Sequence, residues 1–142
     1  MVGIAQERQH AWACKEASMH YRDAVVWDKA MALAEQACRL SGTLPAVERF
    51  GLRSQLSRSA VSVPSNIAEG WSRESRREKA QFLAIAQGSL SELHTQLLLC
   101  ERLGWFDPEP LRPIHALVDE VSRMLTALRR KLRNELRGTR NE

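Results

Sequence analysis

The sequence predicts an all-α fold, an antiparallel up-down four-helix bundle whose second helix is kinked at Pro64. Four long segments repeat apolar residues every three or four positions, the period of a helix face packed against a core. No segment shows the sustained period-two alternation that strands show. Seven Gly and five Pro in 142 residues leave few turns, and short connections between long helices favour antiparallel neighbours.

The first helix is predicted from about Ala24 to Leu40. Asp23 is expected to be its N-cap, because a carboxylate accepts hydrogen bonds from the free amides of the first turn. Gly42 is expected to follow the helix in the left-handed conformation that glycine adopts without strain.

The second helix is predicted to begin after Pro45 and to continue to Glu69, with Gly70 as its stop. Its apolar stripe keeps a helical phase across Pro64. Proline removes one backbone donor and clashes with the preceding turn, so the unbroken phase favours one kinked helix over two separate helices.

The third and fourth helices carry clear boundary signals. Ser75 and Glu78 form a capping box for a third helix over residues 76–103, which Gly104 ends. Asp107 and the proline after it are expected to start a fourth helix that reaches about residue 136. Trp71 and Trp105 directly follow the predicted stops, and they are expected to plug the bundle ends or to anchor a subunit interface.

The chain divides into three parts. Residues 1–20 lack a sustained apolar stripe and are expected to be a flexible or weakly helical extension, for which Met19 offers an alternative start. Residues 21–137 are expected to form the bundle, and residues 138–142 a frayed tail. Three widely spaced Cys, no secretory signal and no apolar run long enough for a bilayer predict a cytoplasmic protein without membrane contact.

The sequence offers no recognised catalytic pattern. It has no glycine-rich phosphate loop and no nucleophile elbow, and only Glu7 and His10 have the Glu-x-x-His spacing, of which a di-iron bundle needs two pairs. A helical-bundle ribonuclease would resemble families with Arg and His at a fixed spacing, and only Arg112 with His115 and Arg8 with His10 come near. His115 and Asp119 are expected to form a surface pair. We therefore expect a non-enzymatic protein without a metal or cofactor.

Basic residues concentrate in two stretches, although the net charge is only +4. Residues 49–79 and residues 129–142 each carry +4, and the rest of the chain carries −4. Cations near the end of the fourth helix suit its dipole, whereas cations at the start of the third do not, which favours an external anion there. Phosphate is one such anion. The candidate nucleic-acid-binding residues are Arg49, Arg53, Arg73, Arg76, Arg77 and Lys79.

Several strings of the sequence resemble one known family. They run from Val26 to Met31, Gly51 to Leu56, Arg58 to Gly70, Gly88 to Leu93 and Arg102 to Gly104. The most specific is Ser-Val-Pro-Ser-Asn-Ile-Ala-Glu-Gly at residues 62–70. Over about residues 20–135 the chain resembles the bacterial four-helix-bundle proteins found in intervening sequences of 23S ribosomal RNA genes.

The resemblance implies a four-helix bundle that assembles as a ring-like homopentamer. A related branch, the accessory protein of diversity-generating retroelements, is similar in fold and binds nucleic acid and a reverse transcriptase. The resemblance thus predicts fold and assembly more directly than it predicts function.

The specific string is interpreted as a packing and kink device, with a ligand site at the kink as the alternative. Pro64 would free the carbonyl near Ala60, to which short polar side chains can donate. Glu69 is expected to pair with Arg58, across the bundle or across a subunit boundary, and the small Gly88 to let another helix approach. The polar donors are Ser62, Ser65 and Asn66. The motif comprises Arg58, Pro64, Ser65, Asn66, Glu69 and Gly70.

The leading hypothesis is a non-enzymatic oligomeric scaffold that binds RNA, DNA or a ribonucleoprotein partner through its basic surface zones. The alternative is a protein-protein interaction module, partnering for example a nucleic-acid enzyme, without direct nucleic-acid binding. Salt sensitivity separates the two, because phosphate neutralisation weakens as salt rises.

Overall fold

The computed structural model describes residues 20–48 and 51–140, and these residues contain four α-helices. The helices are Val25–Ser41 (α1), Leu52–Ser72 (α2), Arg76–Arg102 (α3) and Pro108–Gly138 (α4). Short 3-10 turns at Tyr21–Asp23 and Ala46–Glu48 precede α1 and α2, and the described ranges contain no strand. The predicted all-α class and its four helices are confirmed. The predicted extension over residues 1–20 lies, apart from its last residue, outside the described ranges.

The helices pack as a ring around one core. α2 lies between α1 and α3, and α4 lies between α3 and α1, which is the packing of a four-helix bundle. Each helix supplies fully buried leucine to the core, and each such side chain contributes about 1.5–3 kcal/mol through burial. These leucines are Leu33, Leu56, Leu93, Leu97, Leu111 and Leu125.

Rising residue numbers on one helix meet falling numbers on the next. Between α2 and α3 the pairs are Ser59 with Gln96, Ser62 with Ser89 and Gly70 with Phe82. Between α3 and α4 they are Glu101 with His115, Gln87 with Arg129 and Arg76 with Glu135. These contacts are those of antiparallel neighbours. The up-down course of the whole bundle and the kink at Pro64 stay predictions.

The start of α1 differs from the prediction. Ala24 is the N-cap and makes no side-chain hydrogen bond, while Asp23 belongs to the preceding 3-10 turn. His20 caps that turn, since its Nδ1 accepts from the amide of Arg22 at 3.3 Å. Asp23 is therefore one residue too early to cap α1.

The end of α1 also differs. Gly42 has a right-handed φ of −62°, so the left-handed conformation predicted for it is wrong. The hydroxyls of Ser41 and Thr43 donate to the carbonyls of Cys38 and Leu40, each at 2.7 Å. Because side chains bind these terminal carbonyls, the helix ends without a left-handed glycine.

α2 begins later and ends later than predicted, at Leu52 and Ser72, and it passes through Pro64 as one helix. Gly70 lies buried inside the helix, so the prediction that it is a stop is wrong. A Cβ there would lie only 3.0 Å from the Cβ of Phe82, so glycine allows α2 and α3 to approach closely. Gly88 has open space around it, so within the chain it provides no close helix contact.

The boundaries of α3 and α4 follow the prediction closely. The hydroxyl of Ser75 accepts from the amide of Glu78 at 3.1 Å, which confirms the cap. Gly104, with a φ of +74°, follows the end of α3. α4 begins behind Asp107, whose side chain makes no cap hydrogen bond, and it extends to Gly138, two residues beyond the predicted end.

The connection after α3 is sealed by a residue that the sequence analysis did not single out. Phe106 is buried in the core, whereas Trp105 is 36% exposed. Trp71 is partly buried and packs against the core at the other end of the bundle. No helix in the described part of the chain combines the length and apolarity needed to cross a membrane.

Candidate nucleic-acid interface

The structure divides the predicted basic residues between the two ends of the bundle. Arg53 lies in the first turn of α2, and Arg73 directly follows its last turn. Twenty residues separate them, which is about 30 Å along a helix. Arg49 lies outside the described residues. The predicted set therefore does not form one site, and Arg53 cannot bind the same phosphate groups as the residues near Arg73.

Arg73 already has partners within the chain. Its Nη2 lies 2.6 Å from Oε1 of Glu69, and its guanidinium lies 4.8 Å from the ring centroid of Phe82. Glu69 thus pairs with Arg73 and not, within the chain, with Arg58. Arg58 and Glu69 share α2 and are three turns apart, too far to touch. A contact between Arg58 and Glu69 of different subunits stays a prediction.

Arg76 and Lys79 are engaged as well. The Nε of Arg76 lies 2.9 Å from Oε2 of Glu135 on α4, and the Nζ of Lys79 donates to the carbonyl of Trp71 at 2.9 Å. Lys79 therefore stabilises the negative end of the α2 dipole. Arg77 is exposed and has no hydrogen bond or ion pair with another residue of the described ranges.

A second cationic surface lies on the C-terminal part of α4. The side chains of four exposed arginines there make no hydrogen bond or ion pair inside the described ranges: Arg130, Arg133, Arg137 and Arg140. We call them the arginine stripe. The first three share one face of α4 because they are three and four residues apart, and Arg140 lies in the turn that closes the helix. The buried residues of α4, which end at Leu128, occupy a different face.

The side of α3 next to the stripe carries mainly small residues. Gln87 marks this seam, since it donates to the hydroxyl of Thr126 at 2.8 Å and accepts from Arg129 at 2.6 Å. Arg77 begins a row on this face of α3 that also contains the exposed Gln81 and four small residues, Ala80, Ala84, Gly88 and Ser91. Arg77 and the arginine stripe therefore border a surface made mostly of small side chains.

The +4 stretch of residues 129–142 was predicted to bind phosphate or to suit the α4 dipole, but none of its arginines was named as a candidate binding residue. The helical spacing of the arginines was visible in the sequence, but their lack of carboxylate partners was not, because it depends on which face of α3 lies beside them.

The Pro64 motif ties α2 to itself and to α3. Ser65 donates to the carbonyl of Val61 at 2.7 Å and Asn66 to that of Ser62 at 2.8 Å, so these donors do not serve the carbonyl near Ala60 as predicted. The Ser62 hydroxyl lies 2.8 Å from that of Ser89 on α3. These contacts accord with the packing interpretation of the motif.

The polar residues elsewhere offer little chemistry. His115 does not pair with Asp119 as predicted, because its Nε2 faces the carboxylate of Glu101 at 3.7 Å and its ring lies 5.5 Å from that of His94. Burial raises the pKa of the Cys100 thiol, and the charge of Glu48 adds to the effect. The described residues contain no group of three or more His, Cys, Asp or Glu suited to a metal ion.

Four helices packed in a ring around a leucine core define a four-helix-bundle protein. The family model described as 23S rRNA-intervening sequence protein matches residues 22–127, and the chain belongs to that family. A solved structure with 26% identity covers 74% of this chain and 98% of its own, with a TM-score of 0.69. It is described as a protein with unknown function from the S23 ribosomal protein family of Bacteroides thetaiotaomicron VPI-5482. No curated protein matches the sequence.

The family match confirms the resemblance that the sequence predicted. It ends at residue 127, so the arginine stripe lies beyond the matched residues. The stripe is therefore a feature of this chain that membership of the family does not by itself imply.

Proposed function

We propose that the protein is a non-enzymatic, oligomeric, cytoplasmic scaffold that binds RNA or DNA, free or within a ribonucleoprotein, through the arginine stripe and Arg77. The observation that carries the proposal is the set of exposed arginines that the described part of the chain leaves without a carboxylate. Arginine binds phosphate through two parallel hydrogen bonds, and an unpaired guanidinium loses no internal ion pair when it does so.

The geometry of the stripe suits an extended anion better than a single phosphate. Ten residues separate Arg130 from Arg140, about 15 Å along a helix axis. Several backbone phosphates fit within that length. The seam beside the stripe includes small residues such as Ala84 and Gly88, over which a nucleic-acid backbone can approach closely. Contacts of this kind are independent of base sequence.

Binding to a short RNA duplex, measured at several salt concentrations, tests the proposal. Each phosphate contact adds about 0.9 to the slope of log affinity against log salt. The double variant Arg133→Gln/Arg137→Gln should bind more weakly and with a slope smaller by about 2.

The matched control is Arg39→Gln/Arg112→Gln, which removes the same charge at exposed sites already paired with Glu35 and Glu109. The control should bind almost as the original chain does. Binding that does not respond to salt, or equal losses in the two double variants, would overturn the proposal. Purification of a protein partner that survives nuclease treatment would then favour the alternative, a protein-protein interaction module such as one serving a nucleic-acid enzyme.

We propose a homopentamer as the assembly, and an apolar groove between α1 and α2 supports self-association. The groove includes Trp27, Met31, Cys38, Val61 and Ala68. Met31 is 43% exposed and Val61 is 51% exposed. Contact of neighbouring apolar side chains with water is unfavourable, and a patch of them often marks an interaction surface. A surface of this kind gains stability when another subunit covers it.

Light scattering on the purified chain tests the assembly. A pentamer of the 16.1 kDa chain has a mass of about 80 kDa. Val61→Glu should dissociate it, whereas Val47→Glu, at an exposed valine outside the groove, should not. A monomeric original chain would overturn the pentamer.

A further inference from the structure

α4 continues well beyond the start of α1. Lys29 on α1 forms an ion pair with Glu120 on α4, with 3.1 Å between Nζ and Oε2, so these two residues mark the same level of the bundle. α1 begins at Val25, four residues before this level, while α4 runs eighteen residues past it to Gly138. The end of α1 lies at the start of α2, where the hydroxyls of Ser41 and Ser57 are 3.1 Å apart. About 20 Å of α4 therefore has no α1 beside it.

α2 and α3 do reach this part of α4. Arg76, at the start of α3, binds Glu135. Gly70 and Trp71 of α2 lie beside Leu128 and Leu132 of α4 around a common groove. Three helices thus continue where four would complete the bundle, and the place of the fourth is an open groove of about 730 Å³.

The floor of the groove is apolar. Its apolar lining is Trp71, Leu83, Leu128, Leu132 and Leu136. Leu128 is still buried, but Leu132 and Leu136 are only partly covered, so the apolar face of α4 is progressively uncovered toward its end. A helix face of this kind is stabilised by a further apolar segment that removes it from water.

We propose that residues 1–19 of this chain occupy the groove as the missing fourth element of the bundle. The chain reaches residue 20 near the groove, because the turn Tyr21–Asp23 packs on α2, and Tyr21 lines a pocket with Ala68, less than one helical turn before Trp71. Nineteen residues precede His20, and an uncovered length of about 20 Å needs about 14 helical residues or fewer extended ones. The occupant is therefore close to its site and long enough to cover it.

The composition of residues 1–19 fits an apolar groove with a charged rim. Ten of the nineteen are apolar, with Trp12 the largest, and the two Glu balance the Arg and Lys. The rim carries both signs, including Lys131 and Glu135, so a segment with no net charge meets no strong repulsion. Trp12 anchors the segment in the groove, since burial of a large aromatic side chain among leucines removes the most apolar surface from water.

Alkylation of a cysteine placed in the groove tests the occupant in the full chain. The Leu136→Cys variant should react with N-ethylmaleimide about tenfold more slowly than the same variant that also carries Trp12→Asp. Trp12→Asp should undock the covering segment, and the cysteine then becomes accessible to the reagent. Asn134→Cys is the matched control, because Asn134 is exposed on α4 and does not line the groove. Its rate should not respond to Trp12→Asp. Peptide mapping by mass separates the new cysteine from Cys14, Cys38 and Cys100.

The outcomes separate the possible occupants. Equal rates for Leu136→Cys with and without Trp12→Asp would overturn the proposal. So would protection that rises with protein concentration and ignores Trp12→Asp, because a second copy would then fill the groove. Circular dichroism confirms that the compared variants are folded, and nucleic-acid binding is not needed for the readout.

Discussion

The two ends of the bundle use the same kind of apolar stripe but bury it to different extents. Where α3 ends and α4 begins, Leu97, Cys100 and Leu111 are completely buried, and Phe106 closes the connection. At the opposite end, Leu132 and Leu136 continue the stripe of α4 but are only partly covered. Helical periodicity is the same in both places. What differs is the number of surrounding helices in the described part of the chain: four at the end where α3 meets α4, and three at the opposite end, where less of the stripe is removed from water.

The charges differ between the ends in a parallel way. At the closed end the exposed Arg112 has Glu109 as a partner one turn away. At the open end the arginine stripe has no carboxylate partner in the described part of the chain. The clustering of such arginines along one face of α4 makes the open end the better candidate for binding a polyanion.

The largest expected difference between the ends is in the cost of truncating a leucine. Leu93→Ala should lower the free energy of unfolding by about 2–5 kcal/mol, because the side chain is fully buried and leaves a cavity. Leu132→Ala, made in the Trp12→Asp background so that the proposed covering segment is undocked, should cost only about 1 kcal/mol, since its surroundings are then partly open. Urea denaturation of both variants measures the difference. Equal losses, with Trp12→Asp present in both variants, would show that something other than residues 1–19 buries this end of α4.

A buried hydrogen bond between α2 and α3 should give the next largest effect. The Ser59 hydroxyl donates to Oε1 of Gln96 at 2.7 Å, and both residues are buried. Ser59→Ala leaves that amide oxygen without its donor and should cost about 1–3 kcal/mol in urea denaturation. Thr95→Ala, at an exposed site where the hydroxyl bonds only to the carbonyl of Ser91, should change stability much less. A similar loss in both variants would contradict the role of burial.

The smallest effect is expected from two glycine substitutions, and they should differ in sign. Gly70→Ala should destabilise by about 1 kcal/mol, since the new Cβ would lie 3.0 Å from Phe82 and 3.3 Å from the carbonyl oxygen of Lys79. Gly88→Ala should stabilise by about 0.5–1 kcal/mol, because the site is helical and open and alanine has the higher helix propensity. Thermal unfolding of the two variants should give midpoints that shift in opposite directions.

Much of the fold could be predicted because its signals are local. Ser75, Gly104 and Pro108 mark helix boundaries through their own backbone preferences, and the structure agrees at each. Errors arose where a distant residue or a competing local bond intervened. Gly70 resembles a helix stop, but the approach of Phe82 on α3 gives it a packing role inside α2. Gly42 loses its expected role because Ser41 and Thr43 bind the terminal carbonyls of α1.

The candidate site was less predictable for the same reason. Arg53 and Arg73 belong to the same basic stretch of the sequence, but they lie at opposite ends of α2. Arg73 and Arg76 are cationic in sequence, yet Glu69 and Glu135 largely neutralise them. Only the arrangement of the helices shows which cations lack a partner.

The sequence by itself determined that the protein is all-α, where its four helices lie, to within a few residues except at the start of α2, and to which family it belongs. Those properties follow from periodicity, caps and motif strings, which depend on neighbours in the chain. The tertiary structure decided which faces are covered and which charges are satisfied. Among the described residues, it left the arginine stripe without carboxylate partners and the end of α4 with only two neighbouring helices, because both outcomes depend on helix length and level in the bundle and not on local propensity.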